Sequence, residues 1–409
     1  MSIEIDSPNG LLTIARNEEG IFRPVEDTDT VWEQSEITEL VNQAVALNSA
    51  RKIGEVDDLA EFGLDPPYAT VTVNRIDGTS QTLTLGDMNP GFDSRYALRD
   101  DDDAVYTVYN AYADRLLKTR DQLRSRDIGG VTVANLVTLE IVTLAGDDIR
   151  AEKLPDWDDD PELSLAQYVI TKPYIRRQAA STTWLEEALT DLGEMAVGEY
   201  VDDEPTDLAQ YGLAPPQARV TATDNNNTLD LLIGLPTEGG RYARLASGGP
   251  VFVASGVEDL ISVEPYDTIG SFALIINVEL VDHYELITPD ETYRVSIHRD
   301  TVTTDGEEEV VETFFLNGTE IDEDLFRDLY SFAIGLQLDS DGATHSTGEP
   351  VLTINYYLID QEEPLTLTLV DENANYLAVV RDGVAEFVMS RAKVERTLRQ
   401  YAEAVANLP

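Results

Sequence analysis

Phe62-Gly63-Leu64-Asp65-Pro66-Pro67 recurs in this chain as Tyr211-Gly212-Leu213-Ala214-Pro215-Pro216, with the second glycine 149 positions after the first. The same elements follow each copy: an alternating apolar segment, a strand that ends in glycine, and a strand that carries Arg-Tyr-Ala. The strand-ending glycines are Gly86 and Gly234, and the Arg-Tyr-Ala strands start at Arg95 and Arg241. A long, fixed period of this kind indicates duplication of a whole folding unit rather than a short solenoid repeat.

The order of elements predicts an α+β fold. Each unit begins with a hairpin, continues with an amphipathic helix, and ends with four strands and a closing helix. Ser35 is the predicted N-cap of the first helix, and the closing helix of the first unit is predicted over residues 111–124. A third, diverged copy has Gly348-Glu349-Pro350 in place of the phrase. We predict three tandem units, residues 1–128, 129–272 and 273–409, each a mostly antiparallel sheet with helices packed on one face.

The repeated phrase favours a structural role over a ligand loop. Glycine permits a turn with positive φ, leucine anchors the loop, and the two prolines stiffen the entry to a strand. The residues of this predicted structural motif are Phe62, Gly63, Leu64, Pro66, Pro67, Tyr211, Gly212, Leu213, Pro215 and Pro216.

The charge of the chain narrows the partners that it can have. The 409 residues include 78 acidic and 28 basic residues, for a formal net charge of −50, and only five of the basic residues are lysine. Such a surface repels the phosphates of nucleic acids and anionic lipid headgroups. An acid-rich, lysine-poor surface also suits a saline environment, where salt screens the self-repulsion, although ordinary solubility explains it equally well.

The absence of cysteine excludes disulfides, thiolate metal sites and cysteine catalysis. No apolar run approaches the roughly 18 residues that span a bilayer. The chain opens on the strand pattern Ile3-Glu4-Ile5, from which we expect no signal peptide. We therefore expect no membrane span in this chain.

The phrase, the glycine-ending strand and the Arg-Tyr-Ala strand together resemble bacterial proteins that carry the domain of unknown function numbered 4340. The resemblance covers nearly the whole chain and is clearest over residues 62–108 and 211–253. It implies a membrane-anchored, extracytoplasmic accessory protein, encoded beside ABC-2-type transporters or gliding-motility-like subunits. It supplies no catalytic residues, and we expect this chain to depart from the family pattern by lacking the usual N-terminal anchor helix. A cytoplasmic location stays open.

No pattern of residues predicts a catalytic, cofactor or metal site. Nucleophile-elbow, Walker and Rossmann motifs are missing, and His283, His298 and His345 are too few and too dispersed for zinc. The acidic runs at residues 100–103 and 156–160 favour solvated turns, with weak calcium or magnesium binding as the alternative. Basic charge concentrates on the predicted closing helix of the first unit, where it predicts either pairing within the chain or contact with an acidic partner; the residues are Arg115, Lys118, Arg120, Arg124 and Arg126.

Two hypotheses of function follow. The first is a non-enzymatic accessory or scaffold protein that binds other proteins in a membrane-associated complex. The alternative is a carbohydrate- or peptide-binding or hydrolysing module with an acidic cleft and exposed aromatic side chains. The 78 acidic residues guarantee chance carboxylate pairs, so the sequence alone singles out no pair for hydrolysis.

Overall fold

The computed structural model describes residues 1–25, 30–155, 160–304 and 307–408. The chain divides into two compact units. Unit one comprises Met1–Ile128 together with Ala196–Tyr200, and unit two comprises Gly129–Met195 together with Val201–Pro409. The predicted boundaries near residues 128 and 272 stay a prediction.

The first repeat builds one sheet of eight strands. Its order is β3-β2-β1-β5-β6-β7-β8-β4. The elements are β1 (Ser2–Ser7), β2 (Gly10–Arg16), β3 (Phe22–Pro24), α1 (Gln34–Val45), β4 (Arg51–Glu55), β5 (Ala69–Asn74), β6 (Ser80–Met88), β7 (Ser94–Arg99), β8 (Asp102–Tyr109) and α2 (Asn110–Leu116).

The second repeat has the same order of elements with one additional short strand before its first helix. They are β9 (Leu136–Thr143), β10 (Asp148–Lys153), β11 (Tyr168–Lys172), β12 (Gln178–Ala179), α3 (Thr182–Glu194), β13 (Ala196–Asp202), β14 (Ala218–Asp224), β15 (Thr228–Thr237), β16 (Gly240–Leu245), β17 (Val251–Ser255) and α4 (Glu258–Ile261). The sheet runs β12-β11-β10-β9-β14-β15-β16-β17. Most of β13, Ala196–Tyr200, groups with unit one.

The third repeat builds the last sheet, in the order β21-β20-β19-β18-β23-β24-β25-β26-β22. Its elements are β18 (Val281–Ile287), β19 (Thr292–Thr304), β20 (Glu307–Leu316), β21 (Thr319–Ile321), α5 (Glu323–Ile334), β22 (Ser340–Asp341), β23 (Pro350–Leu358), β24 (Leu365–Asp371), β25 (Tyr376–Arg381), β26 (Val384–Ser390) and α6 (Arg391–Ala406).

The strands pair antiparallel, as the alternating apolar segments predict. In each sheet an opening hairpin joins a four-stranded meander through its first strand, since β1 pairs with β5, β9 with β14, and β18 with β23. The recurrence of one topology supports the predicted tandem repeat. The packing of every helix on one face of its sheet stays a prediction.

Two helix boundaries differ from the sequence-based expectation. The first helix is capped by Glu33, not Ser35, because the Glu33 carboxylate accepts from both the backbone N–H and the hydroxyl of Ser35. The closing helix α2 ends at Leu116, well short of residue 124, and a 3₁₀ turn follows at Asp121–Leu123.

The main core of unit one joins helix and sheet. Ile37 and Leu40 of α1 share a buried cluster with Ile3 and Ile5 of β1 and with Val71 of β5. The helical residues recur at the spacing of one helix face, and the strand residues alternate along their strands. Periodic apolar residues therefore position α1 against the sheet in this unit.

Candidate functional site

The repeated motif forms a compact contact between a loop and a strand end. In the first copy Gly63 has φ +66°, which favours glycine, and a Cβ there would lie 2.4 Å from Cγ of Asp87. A Cβ on Gly86 would lie 2.2 Å from the carbonyl oxygen of Phe62. Both glycines are therefore required by close approach of the loop to the end of β6.

The Arg-Tyr-Ala strand completes this contact. Nη1 of Arg95 donates to the carbonyl oxygen of Gly86 at 3.1 Å. The ring of Tyr96 meets the ring of Phe62 edge to face, with centroids 4.8 Å apart. We call the set Phe62, Gly63, Gly86, Arg95 and Tyr96 the glycine clasp.

The second repeat contains the same clasp. Gly212 has φ +69°, and a Cβ on Gly234 would lie 2.1 Å from the carbonyl oxygen of Tyr211. Nη1 of Arg241 donates to the carbonyl oxygen of Gly234 at 3.1 Å, and the Tyr211 and Tyr242 rings lie 5.2 Å apart. The residues that recur in the sequence thus contact one another in both repeats.

The two clasp arginines differ in their remaining contacts. Arg241 forms an ion pair with Glu258, at 2.5 and 2.8 Å, which raises the pKa of Arg241 and lowers the pKa of Glu258. Arg95 is 7% exposed, and its guanidinium lies 3.8 Å from the centroid of the Tyr68 ring. Cation–π stacking takes the place of the carboxylate in the first copy.

The five predicted partner-binding cations do not lie on one helix, because α2 ends at Leu116. They contact groups of their own unit. Arg115 lies 3.9 Å from Glu39, Lys118 pairs with Glu36, and Arg124 pairs with Asp121 at 3.2 Å.

Aromatic rings and backbone carbonyl groups also contact these cations. Arg120 lies 5.6 Å from the Trp32 ring and Arg124 lies 3.4 Å from the Tyr200 ring. Arg126 donates to the carbonyl oxygen of Gly198 at 2.7 Å. Sequence reasoning missed Tyr200, which is distant along the chain. Contact of these cations with an acidic partner stays a prediction.

An acidic cleft of about 870 Å³ lies in the second repeat, between α3, α4 and the 3₁₀ turn Pro265–Thr268. Five carboxylates line it, those of Glu186, Glu187, Asp191, Asp259 and Asp267. Burial raises the pKa of Asp191, and the nearby Asp259 carboxylate adds to that rise. A carboxyl group whose pKa is raised by burial can hold a proton for acid catalysis. The sequence offered no sign of this grouping.

Partly buried ion pairs join the second and third repeats inside unit two. Glu162 accepts from Arg176 at 2.7 Å and also pairs with Arg381. The side chains of Glu162 and Arg381 are each 11% exposed. Glu386 accepts from the backbone N–H groups of residues Ile175 and Arg176, at 2.6 and 3.2 Å. These contacts explain why the two repeats form one compact unit.

An aromatic pair lies beside these ions. The rings of Tyr174 and Phe387 are 4.9 Å apart, and the Tyr174 hydroxyl donates to Asp341 at 3.4 Å. Burial, together with the Asp341 charge, raises the pKa of Tyr174. The junction between these repeats therefore combines apolar and ionic contacts.

The first of the two acidic runs, residues 100–103, forms hydrogen bonds with neighbouring strand residues. Asp100 accepts from the Thr82 backbone N–H, and Asp102 accepts from the Tyr106 hydroxyl. Residues 156–159 of the second acidic run lie outside the described residues. In the described ranges, no group of three or more His, Asp or Glu side chains is placed to hold a metal ion.

The histidines are also separate from one another. His283 stacks on Tyr357 with centroids 4.1 Å apart, His298 lies against Phe315, and His345 lies 3.1 Å from Glu372. Each histidine thus has a different neighbour.

Comparison with known proteins identifies one family. Its profile, described as a domain of unknown function (DUF4340), matches residues 24–177 and again residues 176–334. No curated protein matches the chain. Within the part of the chain that the structure describes, no helix combines the length and the apolar character that crossing a membrane requires. The two matches cover most of the chain in tandem, so the chain belongs to the DUF4340 family.

Proposed function

We propose that this chain is a non-enzymatic accessory protein that binds another protein in a membrane-associated, extracytoplasmic complex of the ABC-transporter or gliding-motility type. The observation that carries the proposal is the glycine clasp, whose residues contact one another in both repeats. The glycine clasp, which is the duplicated feature of the chain, therefore has a structural role in each of the two sheets. The family resemblance supports the membrane-complex part of the proposal.

The edge strand β4 is the docking surface that we favour. It stands at the end of the first sheet, pairs with β8 on one side, and consists mostly of exposed residues. Ile53 at its centre is 42% exposed. An edge strand offers unpaired backbone groups to an extended segment of a partner.

A photo-crosslinking experiment tests this proposal. A photoreactive phenylalanine analogue is placed at Ile53, and at Ile76 as a control in a hairpin turn where the side chain is 80% exposed. We expect a crosslink to a transporter-type subunit in native membranes from position 53 and none from position 76. Equal labelling from both positions, or none from either, would contradict docking at β4.

The five cations between residues 115 and 126 allow a second experiment. Arg115 is about half exposed and its ion pair with Glu39 is long, so Arg115→Glu changes the surface charge with little effect on folding. We expect capture of an acidic partner to weaken. Arg124 is unsuitable because its side chain is 4% exposed.

The acidic cleft favours a second candidate, a carbohydrate- or peptide-binding or hydrolysing module. Its support is the raised pKa of Asp191 among four other carboxylates. A glycan and peptide panel tests it, with Asp191→Asn as the inactive control and Glu279→Gln as a matched exposed substitution outside the cleft. Cleavage by the parent that Asp191→Asn abolishes would replace the accessory role with a hydrolase.

A further inference from the structure

We infer that unit one binds a small amphiphile with an apolar body and an anionic head, such as an alkyl carboxylate. The site is a cavity of about 400 Å³ between the sheet and the segment that leads from the end of α1 toward β4. This volume lies within the range of about 300–1,000 Å³ typical of small-molecule pockets.

The floor of the cavity is apolar and well shielded. It consists of Val71 and Val73 of β5, Leu83 of β6, Ala97 of β7 and Val108 of β8. Val71, Ala97 and Val108 are each 2% exposed although they line the cavity. An alkyl chain that reached them would be removed from water, which is favourable in proportion to the apolar area buried.

The wall opposite the sheet is formed by the end of α1 and the residues after it. Ala44, in the last turn of α1, and Leu47 both line the cavity. The backbone N–H of Ala50 then donates to the carbonyl oxygen of Thr107 at 2.7 Å, which fixes the segment to β8. The wall is therefore anchored at both ends, and the cavity is a preformed feature of unit one.

The polar residues of the cavity favour an anion. Arg75, Gln81 and Arg99 line it, and none of the fifteen described lining residues is acidic, although 78 of the 409 residues of the chain are. A positively charged lining is unusual on so acidic a protein. It attracts an anionic head and would repel a cationic one.

The two arginines have different partners. Nη2 of Arg75 donates to Oε1 of Gln81, a neutral group, at 2.9 Å. Arg99 pairs with Asp101, and Asp101 also accepts from Nε2 of Gln81 at 3.2 Å. Arg75 is therefore the residue that we assign to the ligand carboxylate, since the group that accepts its hydrogen bond is neutral and a charged acceptor makes a stronger bond. The nearby Asp77 carboxylate, whose pKa the charge of Arg75 helps to lower, is the charge with which the ligand would compete.

Calorimetric titration with sodium decanoate tests the assignment, with decanol and decyltrimethylammonium as neutral and cationic probes. We expect decanoate to bind more tightly than decanol and the cation not to bind. Arg75→Gln should weaken decanoate binding about tenfold and leave decanol binding unchanged, because one charged hydrogen bond is lost. Arg23→Gln, outside the cavity, should change neither.

A substitution that fills the cavity tests where the ligand binds. Ala44→Phe should abolish binding of both decanoate and decanol while the protein still melts cooperatively. Should that variant fail to fold, Ser49→Trp, at an exposed position that lines the cavity, replaces it. Methyl resonances of Val71, Leu83 and Val108 should shift on addition of decanoate to the parent.

Three outcomes would overturn the proposal. One is no binding of decanoate. Another is equal binding of all three probes, which would indicate nonspecific association. The third is decanoate binding that survives both Arg75→Gln and the filling variant, which would place the ligand elsewhere.

Discussion

A Cβ on Gly86 would lie 2.2 Å from the carbonyl oxygen of Phe62, and a Cβ on Gly234 would lie 2.1 Å from the carbonyl oxygen of Tyr211. At both places the added Cβ would clash with a backbone oxygen, so rotation of a side chain could not relieve the clash. Glycine at position 86, two residues before the end of β6, is thus required by its contact with the backbone carbonyl of Phe62. The same contact recurs in the second repeat.

Gly86→Ala should destabilise unit one by about 1–3 kcal/mol, the usual cost of forcing extra atoms into a packed site. Thermal and denaturant melts measure the change. Gly91→Ala is the matched control, because a Cβ there would meet no heavy atom closer than 3.6 Å. A Gly86→Ala melt that matches the parent would contradict the clasp geometry.

Gly63→Val and Gly212→Val should each destabilise their own repeat by roughly 1–3 kcal/mol, since both glycines have φ near +70° and a β-branched residue is strained there. Hydrogen exchange resolved along the chain locates the effect. We expect faster exchange around residue 63 in the first variant and around residue 212 in the second. Parent-like exchange in both variants would show that the turn tolerates a side chain.

Glu162→Gln should destabilise unit two by about 3 kcal/mol, because it leaves two largely buried arginines without their shared carboxylate. Hydrogen exchange should rise on both sides of the junction, near residues 176 and 381. The control is Glu323→Gln, which breaks an exposed ion pair with Arg327 and should cost at most about 0.5 kcal/mol. Equal effects of the two variants would refute a structural role for the junction.

The hydrogen bonds of Glu372 predict that the stability of the protein decreases at acidic pH. The Thr344 hydroxyl donates to its carboxylate, the backbone N–H groups of Thr344 and His345 donate as well, and the pKa of Glu372 falls to about 2. A lowered folded-state pKa contributes stability above the ordinary value of 4.5, and this contribution is lost as the pH falls toward 2.

The parent should therefore melt above Glu372→Gln at pH 6, and the difference should shrink between pH 4.5 and 2. Glu349→Gln, an exposed substitution nearby, serves as the control and should show no such convergence. A constant difference between the parent and Glu372→Gln across this range would contradict the assignment.

Stability should rise with salt. At a net charge of −50, self-repulsion opposes the compact state, and its range falls from about 30 Å at 0.01 M to about 3 Å at 1 M ionic strength. Melting temperatures in sodium chloride measure the trend. Calcium chloride at equal ionic strength separates screening from ion binding, and a flat or falling melting temperature in sodium chloride would rule out the screening argument.

The sequence by itself determined the repeat, the antiparallel strands and the need for glycine in the phrase. Alternation and turn residues act locally, so the opening hairpin and the four-stranded meander of each repeat could be predicted from neighbouring residues. The additional strands β3, β4, β13, β20, β21 and β22 were not predicted. The recurrence of Gly86, Arg95 and Tyr96 with the phrase was also visible as spacing. The sequence did not show that these residues contact Phe62 and Gly63.

Only the tertiary structure decided which distant side chains meet. Glu162 and Arg381 lie 219 positions apart, and Arg124 stacks on Tyr200 from another part of the chain. With 78 acidic residues, each cation has many possible partners in the sequence, and chain folding selects among them. The cavity beside Arg75 is likewise a space between elements, and local sequence patterns carry no information about such a space.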